Sequence, residues 1–223
     1  YPRYILSTQG VSERILPITL GPEFYSKGNF DSLAIPLRVV ATNIKTGRAV
    51  VFKEGNLPKI LAGSAAYPIV LSPVELDSML LVDGGLTNNV PCDVARDEGA
   101  DFILAVNMSS RISDHEQTLS ATAYMDQTIN TISYYSDTRN LYLADVLISP
   151  QADKIYSSDF DSIDVLVNSG YEAARKILPK LKLKENKPDS TFFVKSHHYL
   201  REKIIRSIQF ENTGTTKKHV LRR

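Results

Sequence analysis

The stretch MLLVDGGLTNNVPCDVARDEGADFILAVNM, residues 79–108, constrains the fold more than any other part of the sequence. The aliphatic run at 79–82 reads as a short buried strand. Residues 90–100 begin with Pro91 in a first helical turn, where a missing N–H costs nothing, and stop at Gly99. Residues 101–108 are strand-like again. Strand, loop, helix and strand within about 30 residues make a βαβ unit, whose crossover is expected to be parallel and right-handed. The expected fold is therefore α/β, with a mainly parallel sheet flanked by helices.

The remaining segments fit around that unit. IPLRVVATNI (35–44) and RAVVF (48–52) are rich in β-branched residues, and Lys45-Thr46-Gly47 between them predicts an antiparallel hairpin. LPKILAGSAA (57–66) has helical spacing at Leu57, Ile60 and Leu61, with Asn56 as N-cap and Pro58 in the first turn, and should end near Pro68. Residues 116–143 are polar with apolar positions at Leu119, Tyr124, Ile129, Ile132 and Tyr135, which predicts a long surface helix. ADVLISP (144–150) reads as a strand, and residues 162–178 as an amphipathic helix closing onto the sheet. Beyond Pro179 the Lys-rich LKLKENKPDS is linker-like. A strand at 204–210, a turn at 212–214 and a helix capped by Thr215 or Thr216 then start a small α+β module. The expected organisation is a domain portion at 1–184, a linker at 185–200 and the beginning of a second module at 201–223.

Composition excludes several classes. Of the 26 basic residues 14 fall from Arg175 onward, with only 4 of the 25 acids, so the net charge of +1 hides an acidic body and a basic end. No nucleic-acid recognition motif accompanies that charge, and nucleic acid is not an expected partner. The single cysteine, Cys92, permits neither an intrachain disulfide nor a thiolate cage, and His115, His197, His198 and His219 lack metal-ligand spacing, so neither metal nor cofactor is expected. No apolar run approaches the roughly 20 residues of a bilayer span. The first residues lack the marks of a signal peptide, and the absence of an initiating Met suggests a start within a longer polypeptide.

Asp83 is the candidate for chemistry. It follows the 79–82 strand, at the edge where open α/β sheets bind ligands, and Gly84 and Gly85 remove two side chains so that backbone can come close to a ligand or a second loop. Asp-Gly-Gly is also a common turn, and spacing alone leaves both readings open. A carboxylate there could position or deprotonate a nucleophile, or hold a metal; without other ligands nearby in sequence, the nucleophile reading is the better one. The chain has no G-x-S-x-G elbow. Gly63-Ser64-Ala65-Ala66 lacks the second spaced glycine and a preceding aliphatic strand, and Ser64 is expected to pack in its short helix. His115 lies at the same edge as Asp83 but reads as a solvated loop residue among Ser113, Asp114 and Glu116, and His197-His198 falls in a polar linker.

The Pro-Leu-x-x-x-Ala-Thr strand, the Thr-Gly hairpin, the Ser-Ala-Ala-x-Pro helix end, the Asp-Gly-Gly loop, the Asn-Val-Pro helix start and the Gly-Ala-Asp strand start occur in that order. Over residues 30–180 the sequence resembles the second half of a patatin-like phospholipase domain, a three-layer α/β fold. The resemblance implies a lipid acyl hydrolase with a Ser-Asp dyad, in which Asp83 orients and deprotonates a serine and Gly84 and Gly85 support the site. The family's Gly-rich oxyanion loop and its nucleophilic serine fall upstream of the matched part, so this chain carries only the aspartate half and should be inactive alone. Ile69, where the family often has Gly, and Tyr67, in place of a smaller aliphatic, are variations that bear on the acyl pocket. IIRSIQFENTGTTKKHVLRR (204–223) is similar to the opening of a polypeptide-transport-associated (POTRA) domain, as in bacterial patatin-like proteins that continue into an outer-membrane β-barrel. That implies the cell envelope of a Gram-negative bacterium, a phospholipid or other acyl-ester substrate, a membrane surface as partner, and leaves a homo-oligomer open. The alternative is a non-catalytic scaffold that keeps the fold.

Overall fold

A computed structural model describes residues 6–108, 121–151 and 160–181. All belong to the first of two compact units, Tyr1–Glu185 and Asn186–Arg223. His115, the His197-His198 pair, the linker and the POTRA-like start all lie outside the described residues.

Helix α1, Gln9–Ser26, precedes a 3-10 turn at Phe30–Ser32. Strands β1, Val39–Asn43, and β2, Arg48–Phe52, form the expected hairpin with Val40 opposite Val51. Helix α2, Leu57–Ser64, starts where Asn56 accepts the Lys59 N–H at 2.9 Å. Strands β3, Val74–Leu76, and β4, Met79–Asp83, follow. Then come short helices α3, Gly85–Asn88, and α4, Cys92–Asp97, strand β5, Leu104–Val106, helix α5, Ala121–Asn140, strand β6, Val146–Ile148, and helix α6, Ile163–Ile177.

The fold is α/β, but the larger sheet corrects the expected topology. Its order is β2-β1-β4-β3, and every pairing is antiparallel. Among the described residues β4 pairs with β1 and β3, not with β5. Connection length accounts for the β1–β2 and β3–β4 pairings, because links of a few residues join only antiparallel strands. Asp77 and Ser78 link β3 to β4 with φ of 45° and 66°, the positive values at both central positions that a type I′ hairpin requires. The parallel pairing is between β5 and β6, with Ala105 opposite Leu147, across the long connection that holds α5.

β1 is buried along its whole length, as the central strand beside β4. One cluster joins Phe30, Val39, Leu57 and Ile60; a second joins Ala41, Ala62, Val74 and Leu81, both placing α2 against the sheet. Val90, Cys92, Ile103 and Ala105 form a third, between α4 and β5. Arg96 fastens that region, donating to the carbonyls of Ala100 (2.7 Å) and Leu143 (3.0 Å) and to Asp145 (3.2 Å). Helix α6 does not bury its apolar stripe: Leu166, Ala173, Ala174 and Ile177 are half-covered, and Ile163, Val165 and Val167 are exposed. Its tie to the β6 side is polar, with the Ser169 hydroxyl accepting from the Gln151 N–H (2.8 Å) and donating to the Gln151 carbonyl (2.9 Å).

Candidate active site

Asp83 closes β4 directly opposite Ala41 of β1, so the paired backbone of the central strands fixes its Cα. Three further bonds hold its main chain and that of Gly84. The Asp83 N–H donates to the Ala66 carbonyl just past α2 at 3.0 Å, and the Asp83 carbonyl accepts the Thr42 hydroxyl at 2.8 Å. The Gly84 N–H reaches the Ser64 carbonyl at 3.4 Å. The end of β4 and the end of α2 therefore form one ledge.

The carboxylate uses one oxygen to organise its own loop. Oδ1 accepts the Gly85 N–H at 2.7 Å, and among the described residues Oδ2 makes no hydrogen bond. Burial pushes the Asp83 carboxyl above the usual carboxylate range, and the Gly85 N–H pulls part of the way back because it favours the charged form. A half-buried base with one oxygen braced and one uncommitted can accept a proton from a hydroxyl placed beside it.

Both glycines serve close approach. A Cβ at residue 84 would lie 2.3 Å from the Val40 carbonyl oxygen, and one at residue 85 would lie 2.9 Å from Asn89 Oδ1 and 3.1 Å from Asp83 Oδ1. The neighbour that Gly84 admits is strand β1, not a ligand. The same Val40 carbonyl accepts the Ser64 hydroxyl at 2.6 Å. Ser64, the last residue of α2, is thus engaged with backbone rather than with a carboxylate.

Sequence reading missed how α5 meets this loop. Its inward side is polar: Ser133 and Ser136 donate to the carbonyls of Gly85 (2.8 Å) and Thr87 (2.7 Å), and Asp137 Oδ2 accepts the Asn89 amide at 3.1 Å. Asn140 donates to Asn88 Oδ1 at 2.9 Å, and the Asn88 amide reaches Asp93 at 2.9 Å. The signal was present as Ser133, Ser136, Asp137 and Asn140, an i, i+3, i+4, i+7 stripe. Among the described residues no group of three or more His, Cys, Asp or Glu could hold a metal ion, and no helix is long and apolar enough to cross a membrane.

The model of the family described as patatin-like phospholipase matches residues 6–96, from the residues before α1 into α4, with Asp83 and its loop inside the match. Over those residues the chain is similar to a patatin-like phospholipase domain. It is similar to an uncharacterized NTE family protein of Mycobacterium tuberculosis (strain ATCC 25618 / H37Rv), 35% identical over 79 residues that cover 35% of this chain and 22% of that protein. Patatin-like phospholipase domain-containing protein 6 of Homo sapiens is 25% identical over 174 residues, 66% of this chain and 13% of that protein. Patatin-like phospholipase domain-containing protein 7 of Mus musculus is 32% identical over 83 residues, 36% of this chain and 6% of that protein. The chain thus spans less than a quarter of the length of these relatives. In this patatin-like segment the ledge of β1, α2 and β4 is complete, and α5, which braces the Asp-Gly-Gly loop, comes from beyond the matched residues.

Proposed function

We propose that the protein containing this chain is a serine lipid acyl hydrolase of phospholipase A or lysophospholipase type, and that Asp83 is the base of its Ser-Asp dyad. The observation that carries the reading is the Asp83 carboxylate itself: held by strand pairing at the end of β4, raised in basicity by burial, with Oδ1 on the Gly85 N–H and Oδ2 left for a hydroxyl. The patatin-like match over this loop supports it.

The nucleophile in this reading is a serine on a G-x-S-x-G elbow that this sequence does not contain. Its hydroxyl proton passes to Asp83 Oδ2 as Oγ attacks the ester carbonyl, and the carbonyl π pair becomes the oxyanion. Backbone donors of an oxyanion loop stabilise that charge. Collapse expels the alcohol oxygen, which takes the proton from Asp83 and leaves an acyl-serine. Water then gives its proton to Asp83 as its oxygen attacks the acyl-serine carbonyl; collapse breaks the bond to serine Oγ, which takes that proton back, and the fatty acid leaves. Burial suits Asp83 to both transfers, because a more basic carboxylate accepts the proton more readily yet still releases it to an alkoxide.

An acyl-ester substrate implies work at a membrane surface. The resemblance of residues 204–223 to a POTRA opening is the support for a cell-envelope location, and a homo-oligomer remains part of the reading. In the deciding experiment the full-length protein is treated with a fluorophosphonate probe and assayed on phospholipid and lysophospholipid. Covalent labelling together with hydrolysis that Asp83→Asn abolishes is expected. A folded protein that neither labels nor hydrolyses would instead be the non-catalytic scaffold.

A further inference from the structure

Helix α5 has the reverse of ordinary core polarity. Its outward positions include Tyr124 and Tyr135, 66% and 63% exposed, while the side against the Asp-Gly-Gly loop carries Ser133, Ser136, Asp137 and Asn140. Asp137 is 1% exposed. Burying a carboxylate and a row of hydroxyl and amide groups, while apolar rings stay in water, does not maximise hydrophobic stabilisation. What the arrangement achieves is directional: each inward group bonds the backbone or an amide of residues 85–89.

Two of the bonds meet at Gly85. Gly85 gives its N–H to Asp83 Oδ1 at 2.7 Å and its carbonyl to Ser133 at 2.8 Å. One turn along, Ser136 fixes the Thr87 carbonyl, and the Thr87 hydroxyl lies 2.8 Å from Thr42 Oγ1, whose own hydroxyl bonds the Asp83 carbonyl. Asp137 holds Asn89, whose Oδ1 is the nearest atom to a Cβ at residue 85. The loop is thus clamped between β1 and α5, with the Asp83 carboxylate as its inner contact.

We propose that Ser133 is a positioning residue for the proton-accepting carboxylate of Asp83: from α5 it holds the Gly85 peptide so that its N–H fixes Oδ1 and leaves Oδ2 turned to the nucleophile. This rests on the hydrolase reading for its catalytic meaning, and on the hydrogen bonds alone for its structural content.

The test uses Ser133→Ala and Ser133→Thr in the full-length protein, with two readouts. Carbon-13 titration of the Asp83 carboxyl needs no turnover. Freeing the Gly85 peptide weakens the bond that favours the charged form, so the midpoint in Ser133→Ala moves above that of the wild type, and Ser133→Thr restores it. Burial and the Gly85 N–H are the influences on Asp83, and the carboxylates of the packed elements, Asp93 and Asp137, are unchanged in both variants. In the ester assay kcat falls about 10- to 100-fold in Ser133→Ala with KM unchanged, the mark of a misplaced reacting group. An unmoved titration midpoint overturns the proposal whether or not the protein hydrolyses esters. A moved midpoint in a protein without esterase activity upholds the positioning and removes the hydrolase reading instead. Ser133→Val, which has the shape of threonine but cannot donate to the Gly85 carbonyl, makes the same comparison should Ser133→Ala not fold.

Discussion

Gly84 lies against the carbonyl of Val40 so closely that a Cβ at residue 84 would stand 2.3 Å from that oxygen. Both partners are backbone, held by the pairing of β1 with β4, so neither can swing aside as a side chain could. Gly84→Ala therefore forces the strand ends apart, at a cost of about 1–3 kcal/mol. Gly10, in α1, has nothing within 4 Å of the same construction. Gly10→Ala should be neutral or stabilise by up to about 1 kcal/mol through helix propensity. Urea denaturation of the pair checks both signs, and equal stabilities would show that the ledge is more pliable than its bonding implies.

Asp83 and Glu98 should make stability depend on pH in opposite senses. Burial raises the Asp83 carboxyl, so its contribution is full below the unfolded value of about 3.9 and is lost as pH rises through the folded one. Asp83→Asn should be inactive yet more stable than the wild type at neutral pH, with the gap closing on acidification. Glu98 is lowered by its bond to Arg38, so its contribution is present above the unfolded value of about 4.3 and is lost as pH falls. Glu98→Gln should be less stable at neutral pH, with that gap also closing in acid. Thermal melts across pH 3 to 8 separate the two. If the full-length protein hydrolyses esters as proposed, the acid limb of kcat/KM should lie above the usual carboxylate range.

How much of this was legible follows the physics of each segment. The β1–β2 hairpin and the start of α2 were readable because Gly47 and Asn56 are local signals. The β3–β4 hairpin was not, because Asp77-Ser78 takes positive φ without glycine and Pro73 stands at the start of a three-residue strand. That loss produced the parallel-sheet expectation for β4. Helix α5 was readable as a long surface helix from its apolar spacing, but that spacing did not reveal that its polar residues face the Asp-Gly-Gly loop. Asp83 stood out because a carboxylate after an aliphatic run and before two glycines is a local pattern. Apart from the local Gly85 N–H bond, the hydrogen bonds that hold it and its loop span 17 to 48 residues and could not be seen in sequence.

Arg38 is a brace whose geometry lysine cannot copy. Its two terminal nitrogens divide between Asp31 (2.6 Å) and Glu98 (2.5 Å), and Nη1 also bonds the Leu37 carbonyl at 2.9 Å. The fork ties the 3-10 turn before β1 to the end of α4. The side chain is 18% exposed, and a lysine offers one compact charge in place of a planar fork. Arg38→Lys should lower the melting temperature despite conserving charge, and double-mutant cycles with Glu98→Gln should show coupling that weakens in high salt.

Ile69 has φ of +73°, a region that a β-branched residue enters only at a cost of roughly 1–2 kcal/mol. Burial does not account for it, since the residue is 40% exposed. The turn around it is fixed by the Leu71 N–H on the Tyr67 carbonyl (2.9 Å) and by the Leu6 N–H on the Val70 carbonyl (2.8 Å), so the backbone cannot relax. Ile69→Gly relieves the strain and loses about 0.5–1 kcal/mol to the greater freedom of an unfolded glycine. The net expectation is a stabilisation of up to about 1 kcal/mol. Strain kept without a packing return points to function, and Ile69 lies three residues after Ala66, whose carbonyl holds the Asp83 N–H. The same variant in the full-length protein should raise KM for long-chain esters more than for short ones. A stabilised variant with an unchanged chain-length profile would leave Ile69 without a part in acyl recognition.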